Sequence, residues 1–438
     1  MKAPIQGAAI CALFAGATPA LADVSIMYPD WITALVEPAI EAYEAETGET
    51  VTSTRLPTDG YDRRIAVDLA AGTAADVVVL DSFMVAQLAD AGYLASLDEQ
   101  LADWDQYQQF MPALLDVTSF DGTAYALPVD TDVRMLWYNR SVFEEAGIEM
   151  PWTPETWDDV LETATTIKDE TGIDYAFVLP AGTKQGEAAT MQGFYMALLG
   201  ADTAEGERNR LRNWEEGKWI ADSPAIRQVA ELYDEVYNQR ELTEPSINYA
   251  TDLGNATREA LASNELGIFA SGSWERSCLF NCNGVDIPSP EERAEIVGWT
   301  PWPSSGAEGA EQGANVSGGW AMGLNAGSGD MEAAKQLLTT IFDYDNFQPW
   351  VVDNGRMAVR EDIAASEDFA ANDYLAAVTE LSANTTGRDT YPGYQVVSSL
   401  IQDMTGAILD GVPVDEALEE YREALVDEFG EDSVMTLD

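Results

Sequence analysis

Four apolar residues, Val77–Leu80 in ADVVVLDS (Ala75–Ser82), run straight into the carboxylate of Asp81. A buried strand cannot hold an ionised group in its interior, but its tip can present one to a ligand. The residues alone leave two roles open for Asp81: cap of the helix that follows, or ligand contact. Ser82 can supply the cap, which favours the ligand role. Two earlier strand exits carry similar groups, Asp30 and Trp31 after Val24–Tyr28, and Thr58 and Asp59 after Val51–Leu56. Carboxylates accept from hydroxyls, and indoles offer apolar faces with one N–H donor. Asp130 and Asp132 stand two apart in YALPVDTDVRMLWYN (Tyr125–Asn139). Paired carboxylates and aromatics would also suit a secreted glycoside hydrolase, the remote alternative to ligand capture. The chain has no histidine. That excludes Ser-His-Asp and Cys-His catalysis and histidine metal sites. Cys278 and Cys282, in CLFNC, are too few for a metal site and lack C-x-x-C redox spacing. In an oxidising compartment they are expected to form a local disulfide. DYDN (Asp343–Asn346) lacks the glycine and distal glutamate of a calcium loop and reads as a helix end. Neither a metal nor a cofactor is expected.

The elements around these residues alternate. After the first strand, Leu35, Val36, Ile40 and Tyr43 share one face of a helix over Thr33–Thr47. A helix over Asp59–Ala71 places Ile65 and Leu69 inward, and a third follows Val77–Leu80. The order β-α-β-α-β-α predicts a parallel sheet covered on both faces, with ligands bound beyond the strand ends. A second alternating set begins after Tyr125–Asn139. Its first helix has Trp157, Val160, Leu161, Ala164 and Ile167 on one face. PSSGAEGAEQGA (Pro303–Ala314) is linker-like, and the chain from Phe347 is mostly helical. Two alternating sets with extended passages near Asp130 and Gly306–Gly313 predict two lobes around a cleft.

Composition narrows the partners. With 77 acidic and 22 basic residues the formal charge is −55. Nucleic acid and anionic membrane surfaces are therefore poor partners, and the spread of acids suits a solvated surface in high salt. Lys2, the apolar run Ile5–Ala17 and ALA at Ala20–Ala22 read as a secretory signal peptide, too short for a membrane span.

Five blocks carry a family resemblance: ADVVVLDSFMVAQLADAGYLASLDE, FDGTAYALPVDTDVRMLWYNRSVFEEAGI, TPETWDDVLETATTIKDETG, VSGGWAMGLNAGSGDMEAAKQLL and YPGYQVVSSLIQDMTGAILDG. In this order they resemble the carbohydrate-binding proteins of bacterial ABC importers, the trehalose/maltose-type group of family 1 solute-binding proteins. The resemblance implies an α/β, two-lobe periplasmic-binding-protein fold of type II, each lobe a sheet flanked by helices, joined by a hinge. The expected division is a signal peptide at 1–22, one lobe from 23–130 and 314–345, and a second from 131–313 and 346–438. The implied sugar contacts are Thr58, Arg63, Asp81, Asp132, Trp274, Gly319, Trp320 and Arg388, with Asp30 or Trp31 at the first-loop acidic contact. The chain departs from the disaccharide binders at Asp130, where they carry an aromatic, and at Asp132–Arg134, where they have a small pair after the aspartate. Asp130 and Arg134 therefore line the same region with different chemistry. The implied role is a non-enzymatic, monomeric periplasmic protein that closes on a di- or small oligosaccharide and presents it to an ABC permease. A polyol, a glucosylglycerol-type osmolyte or a substituted monosaccharide is the alternative ligand.

Overall fold

The computed structural model describes residues 24–58, 60–203, 205–278, 295–382 and 385–437. The segment expected to be a signal peptide lies outside the described residues. So do Asp59 and Cys282, and with Cys282 the disulfide expected to Cys278.

Two sheets organise the chain. In the first, the strands run in the order Val51–Leu56, Val24–Pro29, Val77–Asp81, Trp320–Leu324, Ala126–Pro128. The first three are parallel, as the alternating pattern predicts. The expectation of a purely parallel sheet is corrected by Trp320–Leu324. This strand returns from far along the chain and pairs antiparallel with Val77–Asp81. All five residues of Val77–Asp81 are buried, because the strand is central in its sheet. The helix Thr33–Thr47 buries Leu35, Val36, Ala39 and Tyr43. The Tyr61 hydroxyl donates to the Met27 carbonyl at 2.9 Å, which ties the helix Tyr61–Ala71 to the sheet.

The second sheet has the order Val297–Pro301, Arg134–Asn139, Leu266–Gly272, Tyr175–Val178. Its helix Trp157–Thr171 buries Trp157, Val160, Leu161, Ala164 and Ile167, the face its spacing predicts. A reciprocal cap between Thr156 and Asp159 fixes where that helix begins. The helices Pro224–Asp234, Tyr394–Leu409 and Val414–Phe429 pack on one another in this lobe.

Residues 129–133 carry the chain from the first sheet to the second. Thr131 and Ser317 share a hydrogen bond of 2.8 Å between their hydroxyls. The Asn315 side chain accepts from Arg134 N at 2.7 Å and donates to Arg134 O at 2.6 Å. The outgoing and returning passages are thus tied together beside the cleft. The return differs from the expected division. Asn315–Ser317 pairs with Thr385–Gly387, so the first lobe resumes at Trp320 and not at 314. Nor does that lobe end at 345. The helix Tyr344–Asp353 packs on Thr33–Thr47, and Arg360 donates to the Gln106 side chain at 2.9 Å. Buried Phe347, Trp350 and Val351 complete the first core, which holds this helix there.

Candidate functional site

Arg388 spans the seam between the lobes. Its Nη2 donates to Asp81 Oδ1 at 2.9 Å and to Ser82 Oγ at 2.8 Å, at the exit of the central strand. Its Nη1 donates to Glu187 Oε1 at 2.8 Å, just ahead of the second-lobe helix Gln192–Leu199. The hydroxyls of Tyr394, at 2.7 Å, and Ser398 also donate to Glu187. Burial works against the charge on Arg388, but Asp81 and Glu187 outweigh it and hold the guanidinium protonated. Asp81 also accepts from Phe83 N at 3.4 Å, so it caps the short turn Ser82–Met84 as well as meeting Arg388. The expectation that Ser82 is the cap is corrected: its hydroxyl accepts from Arg388 instead.

Beside this group lies Asp62, in the first turn of the helix Tyr61–Ala71. Its Oδ1 is sealed from solvent and has no hydrogen-bond partner. Burial first, then the charges of Asp81 and Glu187, push its pKa up to about 8 against the pull of Arg388.

Farther along the cleft, Asp132 Oδ1 lies 3.5 Å from Arg134 Nε, and Arg134 also donates to the Gln192 side chain. Burial brings the Arg134 pKa down to about 10, with Asp132 opposing. The Arg134 guanidinium lies over the Trp274 ring, 4.2 Å from its centroid. Asp130 accepts from Trp320 N at 3.0 Å and from Arg356 Nη1 at 3.3 Å. Burial still pushes its pKa up to about 6, with Arg356 opposing. Trp320 lies opposite Asp81 in the sheet register. Its ring meets Trp31 edge-on at 5.8 Å and Tyr61 at 5.9 Å, and Trp31 meets Trp350 at 6.0 Å. Arg356 covers Trp31 at 4.6 Å. An aromatic cluster therefore borders a row of carboxylates and guanidiniums.

Residues 28–346 match the family model described as bacterial extracellular solute-binding protein. The chain belongs to that family. Among solved structures, an ABC transporter solute-binding protein from Thermotoga lettingae bound with alpha-D-tagatose is 25% identical, with a TM-score of 0.78 over 92% of this chain and 99% of that one. The lactose-binding protein of Rhizobium radiobacter is 22% identical over 75% of this chain and 72% of its own length. The mannitol-binding protein of Pseudomonas aeruginosa is 22% identical over 63% of this chain and 58% of its own.

In this solute-binding protein, Asp81, Asp130, Asp132, Arg134, Gly319, Trp320 and Arg388 come together at the seam, with Trp31 and Trp274 on its borders. Arg63 does not join them; it is exposed on the helix Tyr61–Ala71. A helix turns about 100° per residue, so with Tyr61 and Ile65 in the core only one of the residues between them can face the cleft. That residue is Asp62. Thr58 and Asp30 are exposed at the rim, where the Thr58 hydroxyl donates to Asp30 at 2.8 Å. Trp274 is committed to Arg134. Sequence reasoning missed Asp62, Glu187, Gln192 and Arg356. Only Asp62 had a usable signal, a carboxylate in the first helical turn after a strand exit.

Proposed function

We propose that this solute-binding protein is the periplasmic component of an ABC importer, exported by its N-terminal signal peptide, and that it captures a sugar or polyol in the interlobe cleft for its permease. The observation that carries the reading is the seam itself. Asp81 of one lobe and Glu187 of the other share Arg388, beside a cluster of Trp31, Tyr61 and Trp320. Carboxylates accept from pairs of hydroxyls, a guanidinium donates in a fixed fork, and indole stacks on the C–H face of a pyranose. Closure of the lobes then buries these groups, and a wrong epimer leaves one unpaired at a cost of ~1–3 kcal/mol. Capture involves no reaction. Asp130 and Asp132 each face their own arginine and form no acid–base pair.

Arg134 favours a small ligand, one ring or an open-chain polyol, over an oligosaccharide. Its guanidinium occupies the Trp274 face that a second sugar ring would need.

Calorimetric titration of protein freed of carried-over solute by unfolding and refolding, against monosaccharides, disaccharides and polyols, tests the reading. One class is expected to bind with micromolar affinity, about −8 kcal/mol. Arg388→Ala is expected to weaken that ligand at least ~10-fold, about 1.4 kcal/mol. No binding tighter than millimolar across the panel refutes the proposal.

A further inference from the structure

Charge is unevenly matched along the cleft. Asp130 faces Arg356 and Asp132 faces Arg134, one cation to each carboxylate. At the other end Arg388 pairs with both Asp81 and Glu187, and the third carboxylate, Asp62, stands in the field of all three. Arg134 also stands in the field of Asp81 and Glu187, so three guanidiniums, those of Arg134, Arg356 and Arg388, answer five carboxylates along the cleft. The hydroxyls of Tyr394 and Ser398 donate to Glu187 but carry no charge. Asp62 Oδ1 is left sealed and without a hydrogen-bond donor. Enclosing surplus negative charge under a neutral guest is unfavourable, whereas a cationic guest offsets it and supplies the missing donor.

We infer that the solute is a polyhydroxylated amine, such as an amino sugar, whose ammonium pairs with Asp62 beside the carboxylates Asp81 and Glu187 that Arg388 bridges. This rests on the sugar-cleft reading above and narrows its ligand class. An ammonium brings three N–H donors, and Asp62 Oδ1 is free to accept one. The hydroxyls of the same solute are left for Asp132, Arg134 and Gln192. Without a guest, a proton on Asp62 relieves the surplus, in keeping with its raised pKa. The ammonium replaces that proton: the Asp62 carboxylic acid becomes a carboxylate paired with the bound amine, and one proton passes to the buffer.

The test is calorimetry at neutral pH on the whole ligand-free protein, in phosphate and in MOPS, whose ionisation enthalpies differ. D-glucosamine, D-galactosamine and D-mannosamine are compared with D-glucose, D-galactose and D-mannose. At least one amine is expected to bind ten-fold or more tighter than its hydroxyl counterpart and to release close to one proton. Asp62→Asn, with its melting curve as the check on folding, is expected to lose both the preference and the proton release. Neutral sugars binding as tightly as the amines would overturn the amine inference and leave the sugar cleft standing. Neither set binding tighter than millimolar would overturn the inference, and the cleft reading then stands or falls on the wider panel of disaccharides and polyols. If Asp62→Asn does not fold, the comparison of amine with hydroxyl on the unaltered protein still decides.

Discussion

At Asp62 the folded protein holds a proton that the unfolded chain gives up far more easily. The folded pKa, about 8, lies above the ordinary 3.8. Stability from that proton is complete below the unfolded value and is lost as the pH rises through the folded one. Asp130 acts in the same direction over a narrower window, up to about 6. Urea unfolding should therefore show stability falling between mildly acidic and mildly alkaline pH. General repulsion among surface acids contributes to the same fall, so the variant is the informative comparison. Asp62→Asn should lessen the fall by at least about 1 kcal/mol, roughly one pKa unit. An unchanged pH slope in the variant would show that Asp62 is solvated. Asp81 was legible as a functional residue because a carboxylate at the end of an apolar run is conspicuous. Asp62 was not. Asp62, Arg63 and Arg64 are consecutive polar residues, and which of them meets the cleft depends on how the helix is rotated on its sheet.

Among the elements, the returning strand Trp320–Leu324 does most to assemble the site. It places Trp320 against Asp81, and its approach passes through Gly319 at φ +120°. A Cβ there would lie 2.3 Å from the Asp130 carbonyl oxygen and 3.1 Å from Thr131 Cα. Both obstacles are backbone, so no side-chain rotation relieves the clash. Gly319→Ala should cost ~1–3 kcal/mol through strain and displacement. It should also disturb the Trp320 N–H bond to Asp130, visible as altered tryptophan fluorescence. Stability within ~0.5 kcal/mol of the parent, the scatter of neutral surface changes, would show that the crossing is slack. The sequence shows that Gly319–Leu324 is extended. It does not show that this segment inserts between Val77–Asp81 and Ala126–Pro128, since strand order depends on which apolar surfaces remain uncovered elsewhere.

For the whole molecule, a formal charge of −55 sets the response to salt. Self-repulsion opposes the compact state, and the screening length shrinks from ~10 Å at ~0.1 M salt to ~3 Å at ~1 M. The melting temperature should rise steadily across that range of sodium chloride. The interlobe ion pairs are largely shielded from this effect because Arg388, Asp81 and Asp132 are buried. A flat or falling melting temperature would mean that the surface acids are neutralised by other means.

The amino-acid order by itself determined the alternating elements, the buried face of Trp157–Thr171, the acidic strand exits and the absence of histidine chemistry. These follow from local periodicity and residue type, which act within one or two turns or a single strand. Only the tertiary structure decided that Arg388 joins Asp81 to Glu187, that Arg356 faces Asp130, that Arg134 takes the face of Trp274, and that Asp62 turns inward in place of Arg63. Those partners lie more than a hundred positions apart, and they meet only after two cores have closed and their charged residues have been driven together at the seam.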